Sequence, residues 1–144
     1  MGDEPKSAVL MFVAHRAAEA RVVEGLRSAG FDDLTLAQSR IAQRLTRDGV
    51  RITELAEQAG VTKQTAGALV DELEANGYVT RKPDPADARA RLVVLTDRGE
   101  KLCATAAAEI ARVEAEWQAH LGAKAYDDMR SALVSLREIT DPYR

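Results

Sequence analysis

The chain has one cysteine, Cys103, among its 144 residues. That excludes an internal disulfide framework and fits a reducing cytoplasm, although a disulfide between subunits stays open. Long apolar runs are also missing. The longest near the start, Ala8 to Ala14, is too short to span a bilayer, and the residues before it are net acidic. Neither a membrane span nor a secretory leader is expected. The two histidines, His15 and His120, have no ligand-spaced companions, which argues against a zinc site. No Gly-rich phosphate loop and no nucleophile-base-acid constellation is evident, so no cofactor and no catalysis are expected.

An overall excess of positive charge is missing too: 20 basic residues face 23 acidic ones, a net charge of −3. Phosphate backbones demand cations, so this balance at first argues against a nucleic-acid partner. The distribution changes that reading. Residues 1–39 hold four basic against six acidic residues, 40–91 hold nine against eight, and 92–144 hold seven against nine. Only the middle is net positive, and within it Arg81, Lys82, Arg89 and Arg91 cluster against Asp84 and Asp87.

With 46% apolar residues, the chain has enough material for the core of one ordinary domain. Helical spacing of Val9, Leu10, Val13, Ala17, Ala20 and Leu26 predicts a long first helix over Ser7–Ala29, closed by Gly30. Leu36, Ile41 and Leu45 predict a second over Thr35–Leu45. Arg51-Ile52 reads as a very short strand, and Thr53 as the N-cap of a short third helix ending at Gly60. Thr62 caps a fourth, which runs to Asn76-Gly77. Tyr78–Lys82 and Ala90–Leu95 are the only β-leaning runs, and they read as a hairpin whose long charged tip is Pro83 to Asp87. From Thr96 onward two more helices follow, separated by Gly122. The class is mainly α with a small β-wing.

The third and fourth helices, joined by a glycine turn, have the form of a helix-turn-helix. Leu55, Ala59, Val61, Ala66 and Leu69 are apolar where the two helices must touch. The polar start of the fourth helix then faces outward. Lys63 suits a phosphate or a guanine edge, Gln64 suits adenine, and the Thr65 methyl suits thymine. The bland alternative is a solvated helix start. Gly67 weakens a helix by up to about 1 kcal/mol relative to Ala, which points to a close approach by something, DNA or another helix.

The stretch RITELAEQAGVTKQTAGALVDELEANGYVTRKPDPADARARLVVLTDRGEKL resembles the winged helix-turn-helix core of the multiple-antibiotic-resistance regulator (MarR) family of bacterial repressors. The most specific part is the wing, DPADARARLVVLTDRG, with its Asp-x-Arg tip leading through Leu-Thr to a Gly-containing helix start. Upstream, LTLAQSRIAQRL is similar to the family's second helix through Leu34-Thr35 and Gln38. Two positions depart from the family pattern: Ala88 precedes the wing Arg where a basic residue is usual, and Gly67-Ala68 stands where a Thr-Arg pair is common.

The resemblance implies one MarR-type domain over 1–144. Its dimerisation helices would occupy about 7–34 and 97–140, and its winged DNA-binding core about 35–96. It implies a homodimer on a palindromic double-stranded operator, acting as a repressor released by a small aromatic ligand or a stress signal. The implied DNA-binding set is Thr62, Lys63, Gln64, Thr65, Gly67, Arg89 and Arg91. Asp87 would hold Arg89 through a wing salt bridge. For an effector pocket the candidates are Phe12, His15, Arg16 and Trp117, although aromatic residues at helical spacing are ordinarily core. Cys103 reads as a small buried hydrophobe rather than a redox sensor. The alternative function is a winged-helix protein-interaction module that has lost DNA binding, in keeping with the mild charge and Ala88.

Overall fold

The computed structural model describes residues 2–142. The elements, in order, are α1 (Ser7–Ser28), α2 (Leu36–Ala42), α3 (Ile52–Ala59), α4 (Lys63–Ala75), β1 (Val79–Asp84), β2 (Asp87–Leu95), α5 (Asp97–Leu121) and α6 (Ala123–Thr140). The chain is mostly helical, with one two-stranded antiparallel sheet. It divides into two compact units: Met1–Val22 with Ala108–Arg144, and Val23–Ala107. Each of α1 and α5 thus contributes residues to both.

The unit 23–107 holds most of the core. Ile41, Leu55, Ala66, Val70, Leu73, Tyr78 and Val93 are at most 1% exposed, and burying each large apolar side chain contributes about 1.5–3 kcal/mol. Local signals explain the elements. Thr35 and Gln38 form a reciprocal capping box at the start of α2. Gly60 takes a left-handed φ of 69° and donates its amide to the carbonyls of Ala56 and Glu57, which ends α3 without strain.

Five expectations are corrected by tertiary context. Val50, rather than Arg51-Ile52, makes the strand-like contact, bridging Val93 through backbone bonds of 3.0 and 2.9 Å. That pairing leaves Arg51 extended, so Arg51 and not Thr53 is the N-cap of α3. α2 ends at Ala42, three residues early, because Arg44 and Leu45 donate to the carbonyls of Ile41 and Ala42 in tighter turns. The wing strands run further than their composition suggests, and the tip shrinks to Pro85-Ala86. Val61, expected at the helix contact, is 36% exposed; it sits in the turn rather than on either helix.

Where α4, β1, β2 and α5 meet, Tyr78 is fully buried with its ring tilted against Phe31, 6.1 Å between centroids. Its hydroxyl donates to Asp33, and the Arg98 guanidinium lies 4.2 Å above its ring. Arg98 also donates to the Asn76 carbonyl that ends α4. Burial, with the Asp33 bond second, pushes the Tyr78 phenol up to about 12. The Tyr78 bond holds the Asp33 carboxyl below the usual range. Gly99 makes the junction possible, since a Cβ there would overlap the Tyr78 carbonyl oxygen and crowd Leu95.

The unit of 1–22 with 108–144 buries little: Ala18, Val22, Val113 and Tyr126. Arg21 and Glu116 join α1 to α5 by a two-fold ion pair of 2.6 and 3.0 Å. Val9, Leu10, Phe12, Val134 and Ile139 are each 50% exposed or more.

Because the Gly99 neighbour is backbone and cannot swing away, Gly99→Ala should destabilise the fold by about 1–3 kcal/mol, read as a lowered midpoint in thermal or urea unfolding. A midpoint equal to that of the parent would show that the junction does not depend on this close approach.

Candidate nucleic-acid interface

The start of α4 is built by a cap and a buried stripe. Thr62, at φ −70° and ψ 156°, accepts the Thr65 amide on its Oγ1 at 3.0 Å, satisfying a helix-end donor. Ala66, Val70 and Leu73 turn inward and are completely buried. Gln64 and Thr65 point away from that stripe, while Lys63, on the stripe side, is the first residue of the helix and lies beyond the buried turn; all three are exposed. Thr62 has its own oxygen committed to the cap and also donates to the Thr65 hydroxyl at 3.0 Å. Its part is therefore to shape the helix start, with Lys63 and Gln64 as the free reaching groups.

The rest of the set falls on the wing. Arg89 and Arg91 are both exposed, two residues apart on β2. Neither they nor Lys63 forms an ion pair with another described residue. The ladder is regular from Val79↔Leu95 to Pro83↔Arg91, then jumps to Asp84↔Asp87. Arg89 lies within that irregularity, beside a proline that has no amide to give the ladder.

The expected Asp87 to Arg89 salt bridge is replaced by a backbone contact. Asp87 Oδ1 accepts the Arg89 amide at 3.0 Å, a local turn that shapes the chain and leaves the guanidinium free. Arg81 also departs from the sequence picture: it bonds Asp71 and Glu74 of α4 at 2.7 and 2.6 Å. It fastens β1 to α4 and is neutralised there, so the local positive cluster loses one of its four members.

Residues to which the sequence assigned no role at the site hold the frame. Gln38, 5% exposed, donates from Nε2 to Glu72 Oε2 at 2.6 Å, linking the capping box of α2 to the outer side of α4. Arg51 pairs with Asp84 at 2.6 Å. An i,i+4 or capping rule cannot find such partners, which are 34 and 33 residues apart. Gly67 has nothing within 4 Å of where a Cβ would stand, so packing within this chain does not explain it. The open side is solvent.

The candidate effector residues all lie in the unit of 1–22 with 108–144. Phe12 is 58% exposed with the Arg16 guanidinium 5.6 Å from its ring centroid. His15 contacts Glu19 at 3.5 Å, and Trp117 is half-buried. Cys103 is half-buried with Sγ 4.0 Å from the Ala42 carbonyl, and burial pushes its thiol up, which disfavours the reactive thiolate.

Residues 32–90 match the model of the MarR family. Transcriptional regulator HosA of Escherichia coli O111:H- is 39% identical over 75 residues, covering 51% of this chain and 56% of that protein. The chain thus spans about half the length of that curated relative. Transcriptional activatory protein BadR of Rhodopseudomonas palustris is 27% identical over 136 residues, 92% of this chain and 77% of that one. Mycobacterium tuberculosis MarR family protein Rv2887, solved in complex with salicylic acid, is similar with a TM-score of 0.67 at 26% identity, covering 94% of this chain and 99% of that chain.

Gly67→Ala should raise the stability of the free protein by up to about 1 kcal/mol, because a methyl enters open space on a helix. The same change should weaken duplex binding if a duplex backbone approaches there. Urea unfolding and a binding titration on one preparation test both halves; loss of stability would contradict the open geometry.

Proposed function

We propose, on the match of residues 32–90 to the MarR family model, that the protein is a MarR-type homodimeric, sequence-specific DNA-binding transcriptional regulator. One observation carries the reading. The free cations Lys63 and Arg89, with Gln64, stand on exposed ends of α4 and the wing, while neighbouring Arg81 and Arg51 are held by carboxylates. Base edges would be read by Lys63, Gln64 and Thr65 in the major groove, and Arg89 would enter the minor groove with Arg91 beside it.

Dimerisation is supported by the exposed apolar side chains of α1 and α6, among them Leu10, Phe12, Val134 and Ile139. A second copy of the same faces is the cover that closes under two-fold symmetry. Selection of duplexes from a random pool tests DNA reading and symmetry together. Enrichment of a palindrome with half-site centres about 10 base pairs apart is expected; a flat pool would favour the protein-interaction reading instead.

Repression is the proposed direction, since a dimer seated on an operator excludes polymerase without any further surface. BadR, a relative, is named an activator, so a reporter carrying the selected site distinguishes the two. The proposed effector is a small aromatic acid held near Phe12, His15, Arg16 and Trp117, with Arg16 placed to meet a carboxylate. Trp117 is the only tryptophan, so titrated salicylate should change the protein's emission and lower its affinity for the selected duplex. An unaltered spectrum together with unaltered DNA binding would remove salicylate-like acids from consideration.

The two kinds of DNA contact should separate on mutation. Gln64→Ala should cost about 1–3 kcal/mol of discrimination at particular operator positions with little change in salt slope. Arg89→Ala should weaken operator and scrambled duplex alike and flatten the salt dependence. Titrations of both variants at several salt concentrations make the comparison; unchanged affinity of Arg89→Ala for both duplexes would take the wing out of the interface.

A further inference from the structure

The wing carrying Arg89 and Arg91 has a regular ladder only as far as Pro83↔Arg91. Beyond it, Arg51 Nε and Nη2 both donate to Asp84 Oδ2, at 2.8 and 2.6 Å. The other oxygen, Oδ1, accepts the Ala86 amide of the tip at 2.9 Å. One carboxylate is therefore bonded at once to the N-cap residue of α3 and to the turn that reverses the wing. The Asp84 side chain is 10% exposed against 43% for Arg51, so the acid is shielded while the base stands at the rim.

Several features make this pair available. Arg51 makes no side-chain capping bond to α3, so its guanidinium is not needed by the helix. The Val50 to Val93 bridge brings the residue before it against β2. The Ala86 amide first, then Arg51, holds the Asp84 carboxyl below its ordinary range, which keeps it ionised at neutral pH. α3 is also the helix that packs on α4, so the tether refers the wing tip to the frame that presents Lys63 and Gln64.

We infer that Arg51 and Asp84 are positioning residues for the wing, their ion pair holding the tip where Arg89 meets the duplex; the inference rests on the DNA-binding reading proposed above. Charge counting alone makes the opposite forecast. Asp84 is an acid beside a DNA-facing edge, so neutralising it should tighten binding, more so if Arg51 were a phosphate contact restrained by it. A tether requires that removal of the acid loosen binding, because a free tip must be ordered again on the duplex.

The test uses Asp84→Asn, nearly isosteric, and Arg51→Gln, which leaves the Asp84 to Ala86 turn intact. Each should weaken operator binding by about 3- to 10-fold, and the double variant should be no weaker than the worse single one. Base preference at the positions read by Gln64 should persist, while minor-groove protection in a hydroxyl-radical footprint should fade. Equal or tighter binding by Asp84→Asn would overturn the inference. In the free protein, Arg51→Gln should speed hydrogen exchange at the Ala86 and Arg89 amides by about 10-fold with little change in the core; unchanged rates there would overturn it as well. If the parent protein bound no duplex, the regulator reading would fall, and exchange rates alone would still decide whether the tip is tethered.

Discussion

The candidate interface depends on one constraint, the burial of the stripe Ala66, Val70 and Leu73 along α4. A helix turns about 100° per residue, so fixing one face fixes every other side chain's direction. With the stripe sealed against the core of its unit, Gln64 has only solvent to face, and Lys63 is exposed because it opens the helix ahead of the buried turn. The Thr62 cap sets where that helix begins, and Gly60 sets the turn that delivers it. A slip of one residue in either would rotate a different set outward.

Charge placement builds on that geometry. The protein is acidic overall, yet its acids are spent locally. Asp71 and Glu74 hold Arg81 against α4, Glu72 holds Gln38, and Asp84 holds Arg51. These contacts brace the two presenting elements and leave Lys63, Arg89 and Arg91 without carboxylate partners among the described residues. On the proposed reading, a modest number of cations in fixed positions would be enough, since hydrogen bonds and groove shape would share in reading the duplex. The two units divide the remaining work: 23–107 has a dense core, whereas 1–22 with 108–144 has few buried side chains and many exposed apolar ones.

Much of the fold was legible because its signals are short in range. Helical spacing, the Thr62 cap, the Gly60 turn, the Gly122 break and the alternating runs of the wing all act within a few residues. The exposure of Lys63 and Gln64 at the helix start follows from the same signals. What misled was local signal overridden from afar. Thr53 is a good capping residue, but pairing of Val50 with Val93 starts the helix earlier. The charged tip looked like a loop, yet successive Asp-anchored turns at Asp84 and Asp87 draw it into the strands.

The sequence by itself determined the order and kind of the elements and which helix end would be polar, since backbone propensity and apolar periodicity are written residue by residue. Tertiary structure decided which charges are free. Arg81, Arg51, Arg89 and Arg91 look alike in a string of letters, and an ion pair needs its partner within about 4 Å. Only folding brings Asp71 and Glu74 to Arg81, and Asp84 to Arg51, across separations of 7 to 33 residues. The same folding leaves the Gly67 flank open and closes the Gly99 flank on the Tyr78 carbonyl, a distinction between two glycines that depends wholly on what lies opposite each in space.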